Sequence, residues 1–407
     1  MKRNRIGRAG LATIMSLALG LGVTACSRDY TVAYVYAVSA QGGAVSAFDV
    51  DFQSGSLVQI AGSPFPSQLM NPGTLVVAPN NKFLYVIGGN QDDKVTLMAI
   101  GTDGKLFGQK QYNITGHGPT AAAIDPSGTF LYVTFTFQNG FTTAGPGPGG
   151  VTIFPINADN TLGTPLTQNV GNNPVGVVAS ALNHFVYVLD ADTNASGVGL
   201  GQILGFSQNA TTGALTPVQG TTITTVAGKT VATGFNAGTK PSGIAEDPTA
   251  RFLYVTDQAQ NELFGYLVVG STSPGTLTPM VNSPFNTGLF PVAVTIDPRG
   301  KYMYTANFGA NTVGSYAIDP GSGNPAGVVG TGNLTVATGP TCVTVEPALG
   351  IYLYTSNRLD GSVSGAQLNP NNGGLQAIEN TPFSANAQLS CVASAANGQH
   401  ASSLVTP

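Results

Sequence analysis

The chain has 407 residues and a formal net charge of −4, and 42% of its residues are hydrophobic whereas only 8% are charged. An acidic chain argues against nucleic-acid binding, which needs a basic surface, and the hydrophobic content argues against intrinsic disorder. The 54 glycines and the absence of tryptophan are typical of a β-protein with many turns.

The first predicted element is an export signal. Basic residues precede a short apolar run, LATIMSLALGLG (11–22), which is the pattern of a signal peptide and is too short for a membrane-spanning helix. The next residues, VTAC (23–26), resemble the lipobox of bacterial lipoproteins. This resemblance implies cleavage before Cys26 and lipidation of that residue, and the following Ser27 implies sorting to the outer membrane at the cell envelope. An ordinary secretory signal with a chance cysteine is the alternative.

Six similar segments follow along the chain. Each opens with a Pro, continues with small and β-branched residues, and reaches a Tyr 13 or 14 residues later. Four short strands in a repeat of about 50 residues is the period of a β-propeller blade. The opening Pro and the Tyr of each segment are Pro72 and Tyr85, Pro119 and Tyr132, Pro174 and Tyr187, Pro241 and Tyr254, Pro291 and Tyr304, and Pro340 and Tyr354.

The turns and strands inside each segment support this interpretation. In DPSG (125–128) and DPRG (297–300), the acid stands at turn position i, Pro at i+1 and Gly at i+3, which predicts a type I turn capped by the acid. The small residues of the first strand fit the crowded axis of a propeller, and the Phe, Leu and Tyr of the second strand fill the space between blades.

The two ends of the chain predict one composite blade. VYAVSA (35–40), AVSAFDV (44–50) and SLVQIAGSPF (56–65) have the patterns of strands two to four without a strand one, and LSCVASAANG (389–398) has the pattern of a strand one alone. We therefore expect an all-β fold, a seven-bladed β-propeller closed by a 3+1 blade in which the C-terminal strand completes the N-terminal blade. The expected boundaries are a signal peptide at 1–25, the lipidated Cys26 and a short linker to 33, the propeller at 34–398, and a C-terminal tail at 399–407.

Cys342 and Cys391 occupy matching positions of neighbouring innermost strands. An exported protein permits a disulfide. Side chains at equivalent positions of neighbouring blades tend to point in the same direction around the propeller axis, however, and a disulfide needs two side chains that converge. Two interpretations therefore remain open: a disulfide, or a pair of buried small hydrophobic residues.

A set of strand and turn motifs recurs between residues 30 and 398: LYVIGGN (84–90), IDPSGTFLYV (124–133), EDPTARFLYV (246–255), IDPRGKYMYTANFGANTV (296–313) and LYTSNRLDGSV (353–363). These repeats resemble the 6-phosphogluconolactonase-like family of seven-bladed propellers and the related YVTN repeats. For members with lactone chemistry, the resemblance implies a His after the Pro that opens an innermost strand, with Arg and Glu around the channel. Here the residues after the opening Pro are Gly73, Thr120, Val175, Ser242, Val292 and Thr341.

One face of the propeller is the candidate binding face. Loops between strands two and three lie on the same face as the connections between blades, because strand direction alternates. The longest excursions, 135–150, 190–201 and 220–240, all fall there. Such insertions often mark the binding face of a repeat protein, and neutral drift in loops is the alternative. The polar residues expected on this face are His117, Asp190, Asp192, Lys240, Asp257, Arg358 and Asp360.

If the protein is an enzyme, the catalytic candidates are His117, Arg358 and Asp257. A solvated loop histidine and a turn-capping aspartate are the alternatives for the first and the last. DADTN (190–194) begins like a calcium loop but has Ala195 at the sixth position, and no His/Cys cluster indicates zinc. We expect no metal and no cofactor.

Two functional hypotheses follow. The first is a monomeric, lipid-anchored, extracytoplasmic propeller that binds an envelope ligand or protein. The second is a hydrolase of a sugar lactone, in which His117 or a carboxylate activates water. Clustered His, Arg and carboxylates at the channel mouth would favour the enzyme, and a lining of Thr, Ala and Gly would favour binding.

Overall fold

The strands that the structure describes all lie in one unit of the chain. In this computed structural model, Thr31–Pro407 form that unit, and Met1–Tyr30 form another of which only Tyr30 is described. Within the described residues, no helical segment is long and apolar enough to cross a membrane. The structure describes residues 30–89, 92–138, 148–182, 184–191, 201–226, 229–328, 332–386 and 388–398.

The described strands form the seven antiparallel sheets of a propeller, and each sheet is one blade. Blade 1 comprises β1 (Thr31–Ser39), β2 (Ala44–Asp51), β3 (Leu57–Gln59), β4 (Phe65–Pro66) and β35 (Leu389–Ala396). Blade 2 comprises β5 (Pro72–Val77), β6 (Phe83–Gly88), β7 (Lys94–Ile100) and β8 (Leu106–Asn113). Blade 3 comprises β9 (His117–Ile124), β10 (Phe130–Phe137), β11 (Gly149–Pro155) and β12 (Leu166–Gly171).

The remaining blades follow in chain order. Blade 4 comprises β13 (Pro174–Ala179), β14 (Phe185–Asp190), β15 (Gln202–Gln208), β16 (Leu215–Pro217) and β19 (Phe235–Asn236). Blade 5 comprises β20 (Pro241–Glu246), β21 (Phe252–Asp257), β22 (Glu262–Val268), β23 (Leu277–Pro279) and β24 (Phe285–Asn286). Blade 6 comprises β25 (Pro291–Ile296), β26 (Tyr302–Asn307), β27 (Thr312–Ile318), β28 (Pro325–Gly327) and β29 (Asn333–Thr335). Blade 7 comprises β30 (Pro340–Val345), β31 (Tyr352–Asn357), β32 (Ser362–Leu368), β33 (Leu375–Ala377) and β34 (Phe383–Ser384). A separate hairpin of β17 (Thr222–Val226) and β18 (Lys229–Thr233) lies in the long connection after β16.

The predicted closure of the ring is confirmed. Strand β35 pairs antiparallel with β1, so that Ala396 lies opposite Ala33. The side-chain amide of Asn397 then donates to the carbonyl oxygen of Thr31 at 2.8 Å. Blade 1 therefore takes its innermost strand from the C-terminal part of the chain, which removes the sheet edge at the seam. Strand β1 begins at Thr31 rather than near the expected residue 34, because its first residues also pair with β2.

A disulfide crosses the seam between blades 7 and 1. Cys342 of β30 and Cys391 of β35 are bonded, with their Cα atoms 4.9 Å apart. Innermost strands come this close because they crowd around the axis, so the two side chains converge although they stand at equivalent positions. The bond joins the C-terminal strand to blade 7 in addition to its pairing with β1.

The outermost strand differs from the single fourth strand that the sequence predicts. In blades 1, 5 and 7 it consists of two short segments around a break with the sequence GSPF (62–65), NSPF (282–285) or NTPF (380–383). Proline has no N–H for a strand ladder, so the ladder is interrupted there. The hydroxyl before each Pro instead accepts an amide N–H of the third strand: Ser63 from Ala47 (2.9 Å), Ser283 from Gly265 (3.1 Å) and Thr381 from Gly365 (2.8 Å).

The acid-Pro turns cap the backbone as predicted. In blade 5, Asp247 is fully buried, and its Oδ1 accepts the amide N–H groups of Arg251 and Phe252, each at 2.6 Å. Asp125 and Asp297 form the same pair of bonds in blades 3 and 6. These carboxylates are hydrogen-bonded within the turns, and they hold the first and second strands in register.

A hydrogen bond between side chain and backbone joins each blade to the next. In every blade, the Tyr of the second strand is fully buried and donates its hydroxyl to a carbonyl in the outer turn of the following blade. Burial raises the pKa of all seven phenols, so they remain donors at neutral pH. The bonds are Tyr36 to Gly104 (2.9 Å), Tyr85 to Asn160 (2.8 Å), Tyr132 to Gly213 (3.1 Å), Tyr187 to Gly275 (3.0 Å), Tyr254 to Gly323 (2.6 Å), Tyr304 to Gly373 (3.2 Å) and Tyr354 to Gly55 (2.6 Å).

The acceptor glycines are needed for two reasons. Gly323 has a φ of 74°, a left-handed conformation that other residues adopt at a cost. A Cβ at Gly323 would also lie 2.6 Å from the ring of Phe252, two residues before Tyr254. The ring of the second strand thus covers the turn whose carbonyl the Tyr binds.

The hydrophobic core is divided among the blade interfaces. Among the described residues, seven buried clusters occur, one between each pair of neighbouring blades. The cluster at the seam contains Val35 and Phe48 of blade 1 with Tyr354 and Val363 of blade 7. Since no blade buries its faces alone, the closed ring is the unit of stability.

Candidate functional site at the channel mouth

The innermost strands define the two ends of the central channel. Each begins at its opening Pro, except that the strand of blade 3 begins at His117 and that of blade 1 at Leu389, and each ends at the turn that leads to the second strand or, in blade 1, at Ala396. We call the end at which these strands begin the channel mouth, and its side of the molecule the mouth face. The connections between blades and the loops between second and third strands all lie on the mouth face.

Paired backbone segments form the rim of the mouth. In six blades, the amide after the second strand donates to the carbonyl of the residue before the innermost strand. These pairs are Ala40 with Gln388 (3.0 Å), Gly89 with Asn71 (2.7 Å), Ala191 with Asn173 (2.9 Å), Gln258 with Lys240 (3.1 Å), Phe308 with Phe290 (2.9 Å) and Arg358 with Gly339 (2.8 Å). In blade 3, Phe137 pairs with His117 as part of the sheet. The rim positions thus carry two basic side chains, those of Lys240 and Arg358, and none of these positions carries a carboxylate.

The hydroxyls just inside the rim join blades to one another. Each donates to the carbonyl of the residue that opens the next innermost strand. The bonds are Ser390 to Pro72 (2.9 Å), Thr120 to Pro174 (2.7 Å), Ser242 to Pro291 (2.7 Å) and Thr341 to Leu389 (3.5 Å). Three of these hydroxyls, those of Thr120, Ser242 and Thr341, also form a hydrogen bond with a hydroxyl of their own second strand. Within the described residues, none of the four is hydrogen-bonded to a base that would activate it as a nucleophile.

A cavity of about 630 Å³ lies in the mouth. Its polar lining includes Asn71, Gln388, Thr341 and Ser390, and Arg358 is its single ionisable residue. Arg358 and Gln388 also line a neighbouring depression of about 450 Å³. A separate cavity of about 840 Å³ lies at the outer edge of blade 7 and has no ionisable lining residue.

Arg358 is exposed, and no hydrogen bond or ion pair joins its guanidinium to another described side chain. The guanidinium therefore offers five N–H donors in a planar fork. Its backbone is fixed by the bond to Gly339, so the side chain starts from a defined point on the rim. This arrangement can bind a carboxylate or a phosphate in a bidentate manner.

Two of the predicted acids lie behind the mouth rather than in it. Asp257 is fully buried and accepts the amide N–H groups of Thr239 (2.7 Å) and Lys240 (3.1 Å). Asp190, also buried, accepts the amide N–H of Asn173 at 2.7 Å. Both carboxylates hold the connections between blades, and this backbone bonding leaves neither of them placed as a base toward the cavity.

His117 has a partner that the sequence analysis did not identify. Its Nδ1 lies 2.5 Å from Oδ2 of Asp93, whose Oδ1 accepts the amide N–H of Gly118 at 3.0 Å. Both side chains are partly exposed. A carboxylate at Nδ1 orients the imidazole and favours a proton on that nitrogen. Neither residue belongs to the lining of the mouth cavity.

The other predicted residues have different surroundings. Lys240 Nζ lies 5.9 Å from the ring centroid of Phe290. Asp360 accepts the amide N–H of Thr338 and lines the depression next to Arg358. Asp192 and Cys26 lie outside the described residues. In the part of the chain that the structure describes, no group of three or more His, Cys, Asp or Glu side chains is arranged to hold a metal ion.

Asp93, Asn71 and Gln388 are the site residues that sequence reasoning missed. Asn71 and Gln388 each stand directly before an innermost strand, as Lys240 does, so their alignment within the repeat could have placed them on the rim. Asp93 lies in a loop of blade 2, and only the packing of neighbouring blades brings it to His117 in blade 3.

Comparisons with known proteins agree with this architecture. The profile of the family described as lactonase, 7-bladed beta-propeller, matches residues 30–229 and 200–345. A search of curated proteins found no match. A Bacteroides uniformis protein described provisionally as a 6-phosphogluconolactonase has a TM-score of 0.70 and 17% identity, covering 90% of this chain and 100% of its own. The periplasmic gluconolactonase of Pseudomonas aeruginosa has a TM-score of 0.68 and 17% identity, covering 90% of this chain and 99% of its own. At these identities, the likeness shows a shared fold.

A buried carboxyl lies at the opposite end of the channel. Glu246 is the last residue of β20, and its Oε2 accepts the amide N–H of Ala181 in blade 4 at 2.8 Å. Its Oε1 is buried and has no hydrogen-bond partner among the described residues. Burial raises the pKa of Glu246 to about 7; the Ala181 amide and the nearby Ser180 hydroxyl oppose the rise, and the charge of Asp247 adds to it. The other six blades place an uncharged residue at this position: Val77, Ile124, Ala179, Ile296, Val345 and, in blade 1, Ser394.

We predict that ionisation of Glu246 destabilises the fold as the pH rises. Because its folded-state pKa lies above its ordinary value of 4.5, the stability that this carboxyl contributes is complete below about pH 4.5 and is lost as the pH rises through about 7. The loss is about 3 kcal/mol, at about 1.4 kcal/mol per pKa unit. Between pH 5 and 8, the free energy of unfolding in urea should therefore fall more in the wild type than in Glu246→Gln.

The exposed carboxylate of Glu379 provides the matched control, and Glu379→Gln should keep the wild-type pH profile. A Glu246→Gln variant with that same profile would contradict the assignment.

Proposed function

Because this chain belongs to the lactonase family of seven-bladed β-propellers, whose profile matches it over residues 30–229 and 200–345, we propose that it binds a small anionic sugar derivative at the channel mouth. The observation that carries the proposal is the mouth cavity of about 630 Å³ with Arg358 as its single ionisable lining residue. Two proteins of the same fold are described as a 6-phosphogluconolactonase and a gluconolactonase. Their names point to sugar acids and lactones as the first ligands to test.

Charge and hydrogen bonding favour an anion that also carries hydroxyls. The guanidinium of Arg358 has no described side-chain partner, so a ligand carboxylate or phosphate breaks no existing ion pair when it binds. The amides of Asn71 and Gln388 and the hydroxyls of Thr341 and Ser390 surround the same cavity. These groups can form hydrogen bonds with sugar hydroxyls, whereas a purely apolar ligand would leave the same groups without partners.

Binding is favoured over catalysis by the composition of the cavity. A general base must reach the attacking water within about 3 Å, directly or through one more water. No carboxylate or imidazole belongs to the described lining of this cavity. The nearby acids Asp190 and Asp257 are occupied by backbone amides. The lining resembles the Thr- and Gly-rich mouth expected of a binding protein.

We predict that Arg358 determines affinity for the anionic group. Isothermal titration of the full chain with gluconate and 6-phosphogluconate should show binding that Arg358→Ala weakens about tenfold to hundredfold, because a charge-assisted bidentate contact is worth roughly 1.5–3 kcal/mol. Arg358→Lys should recover part of the loss, since the charge remains but the fork is absent.

Lys82→Ala is the matched control, because Lys82 is an exposed cation at the opposite end of blade 2. Glucose, which has no charge, should bind much more weakly than gluconate. Equal binding of glucose and gluconate, or an Arg358→Ala variant with wild-type affinity, would contradict the proposal.

The second candidate function is hydrolysis of a sugar lactone, and the pair of Asp93 and His117 favours it. Asp93 holds Nδ1 of His117 at 2.5 Å, which leaves Nε2 free to accept a proton from water. This activity would appear as hydrolysis of glucono-δ-lactone above the spontaneous rate. Loss of that excess rate in His117→Ala, with a partial loss in Asp93→Asn, would establish it over binding alone. Binding without any excess rate would exclude it.

We also propose that the protein is anchored to the cell envelope through Cys26, with the mouth facing away from the membrane. The sequence VTAC (23–26) supports lipidation. The propeller begins at Thr31, at the end of the channel opposite the mouth, because β1 runs antiparallel to β35. The four residues 27–30 reach at most roughly 14 Å, so this end of the propeller would lie nearest the lipid.

Substitution of the anchor residue tests this location. Cys26→Ser should move the protein from the membrane fraction to the soluble fraction and abolish incorporation of labelled palmitate, because both depend on the cysteine sulfur and the new N-terminus. Ser27→Ala is the matched control and should leave both unchanged. Persistent membrane association of Cys26→Ser without detergent would contradict the anchor.

A further inference from the structure

An exposed apolar patch occupies the mouth face of blades 6 and 7. It consists of Leu289, Phe290, Phe308 and Leu359, which we call the blade 6–7 patch. Leu289 and Leu359 are 60% and 64% exposed, and the ring of Phe290 is 38% exposed. The rings of Phe290 and Phe308 lie 6.0 Å apart. Exposed groups of large apolar side chains with a polar surround mark interaction sites more often than single exposed residues do.

The members of the patch are contiguous across the two blades. A Cβ at Gly339 would lie 2.9 Å from the side chain of Leu359 and 3.0 Å from the ring of Phe308. Both side chains therefore cover the same glycine at the rim of blade 7. The ring of Phe290 lies beside that of Phe308, and Leu289 precedes Phe290 in the chain, so the four residues lie together at this rim.

The backbone of Phe290 is held in a costly conformation. Its φ is 54°, in the left-handed region that a bulky residue rarely adopts. The equivalent positions before Pro119 and Pro340 are glycines, Gly118 and Gly339, with φ of 66° and 71°. The Phe290 amide donates to Oδ1 of Asn261 at 2.7 Å, and its carbonyl accepts from Phe308 at 2.9 Å. Neighbouring groups thus fix an exposed ring where glycine would relieve strain, which is a pattern found at functional sites.

The shape of the patch favours a macromolecular partner. The mouth cavity includes none of the four patch residues, and the neighbouring depression includes only Leu359. Small ligands bind in concave sites that bury most of their surface, which this patch does not offer. An extended segment of another protein can instead cover it with several side chains.

The charges beside the patch favour an acidic segment. Lys240 Nζ lies 5.9 Å from the Phe290 ring centroid, and Arg358 precedes Leu359 in the rim of blade 7. The carboxylate of Asp360, which follows Leu359, is bound to the amide of Thr338. A partner segment that places a carboxylate beside an apolar side chain would pair the carboxylate with the ammonium group of Lys240 and pack the apolar side chain on the rings of Phe290 and Phe308.

We propose that the blade 6–7 patch docks a segment of a partner protein in which apolar side chains alternate with acidic ones. The propeller begins at Thr31 on the end of the channel opposite this face, so the patch is directed away from any anchor at the N-terminus. This orientation argues for a protein in the surrounding compartment rather than the membrane that carries the anchor.

The test uses two labelled peptides and the full chain. The acidic peptide has 12 residues in which Leu and Phe alternate with Glu, and the basic peptide has Lys in place of every Glu. Fluorescence polarisation should show that the wild type binds the acidic peptide at least tenfold more tightly than the basic one. Phe290→Gly should weaken that binding at least tenfold while keeping or raising the melting temperature, because the glycine relieves strain. A purely structural Phe290 would lower the melting temperature instead.

Two further variants complete the design. Lys240→Glu should reverse the preference between the peptides. Leu182→Asp, at a leucine that is 66% exposed on the opposite end of the channel, should leave binding unchanged. The proposal fails if both peptides bind alike, if neither binds, or if Phe290→Gly binds as the wild type does. It also fails if the wild type forms a dimer, or binds vesicles of phosphatidylglycerol, in a manner that Leu289→Asp abolishes.

Discussion

The structure depends on one contact that is repeated around the ring. A buried Tyr hydroxyl of each blade donates to a carbonyl in the outer turn of the next, and the acceptor residue has a left-handed backbone. Each bond fixes the second strand of one blade against the outer edge of its neighbour. The last of them, from Tyr354 to Gly55, spans 299 residues of sequence, so the seam is held by the same contact as every interior joint. Strand β35 and the disulfide then reinforce a ring that is already joined on both sides.

This rigid ring determines what the mouth can do. Because the rim residues are held in backbone pairs, their side chains project from fixed positions around the channel. The acids on this face, such as Asp190 and Asp257, are bound to the connections between blades, whereas Arg358 has no described side-chain partner. A chain with a net charge of −4 therefore presents cations at the mouth, and the strained ring of Phe290 stands beside one of them. The ligand binding and the partner docking that we propose both depend on this separation of structural acids from cations.

Much of the fold could be predicted from the sequence, because the features that define the blade repeat lie close together along the chain. The spacing from Pro to Tyr, the acid-Pro turns and the incomplete first and last units were sufficient for the blade number and the closure. The contacts between blades were harder to predict. Tyr254 is visible in the sequence, but its acceptor Gly323 lies 69 residues away, and no local pattern links them. Arg358 could be assigned to the mouth face from its place in the repeat, whereas its lack of a described side-chain partner and the pairing of His117 with Asp93 depend on how neighbouring blades pack. The Ser-Pro and Thr-Pro dipeptides that interrupt the outermost strand are visible in the sequence, so these breaks could have been predicted.

The most direct test of the closed ring compares two Tyr→Phe variants with hydrogen bonds of equal length. Tyr254 and Tyr354 each donate at 2.6 Å, the first at an interior joint and the second at the seam. Each substitution leaves a buried carbonyl without its donor, so each should lower the free energy of unfolding by about 1–3 kcal/mol, in one cooperative transition. Tyr30→Phe, at a residue that is 51% exposed, should cause no loss. A Tyr354→Phe variant that keeps wild-type stability while Tyr254→Phe loses it, or that unfolds at the seam in a separate early transition, would contradict the account.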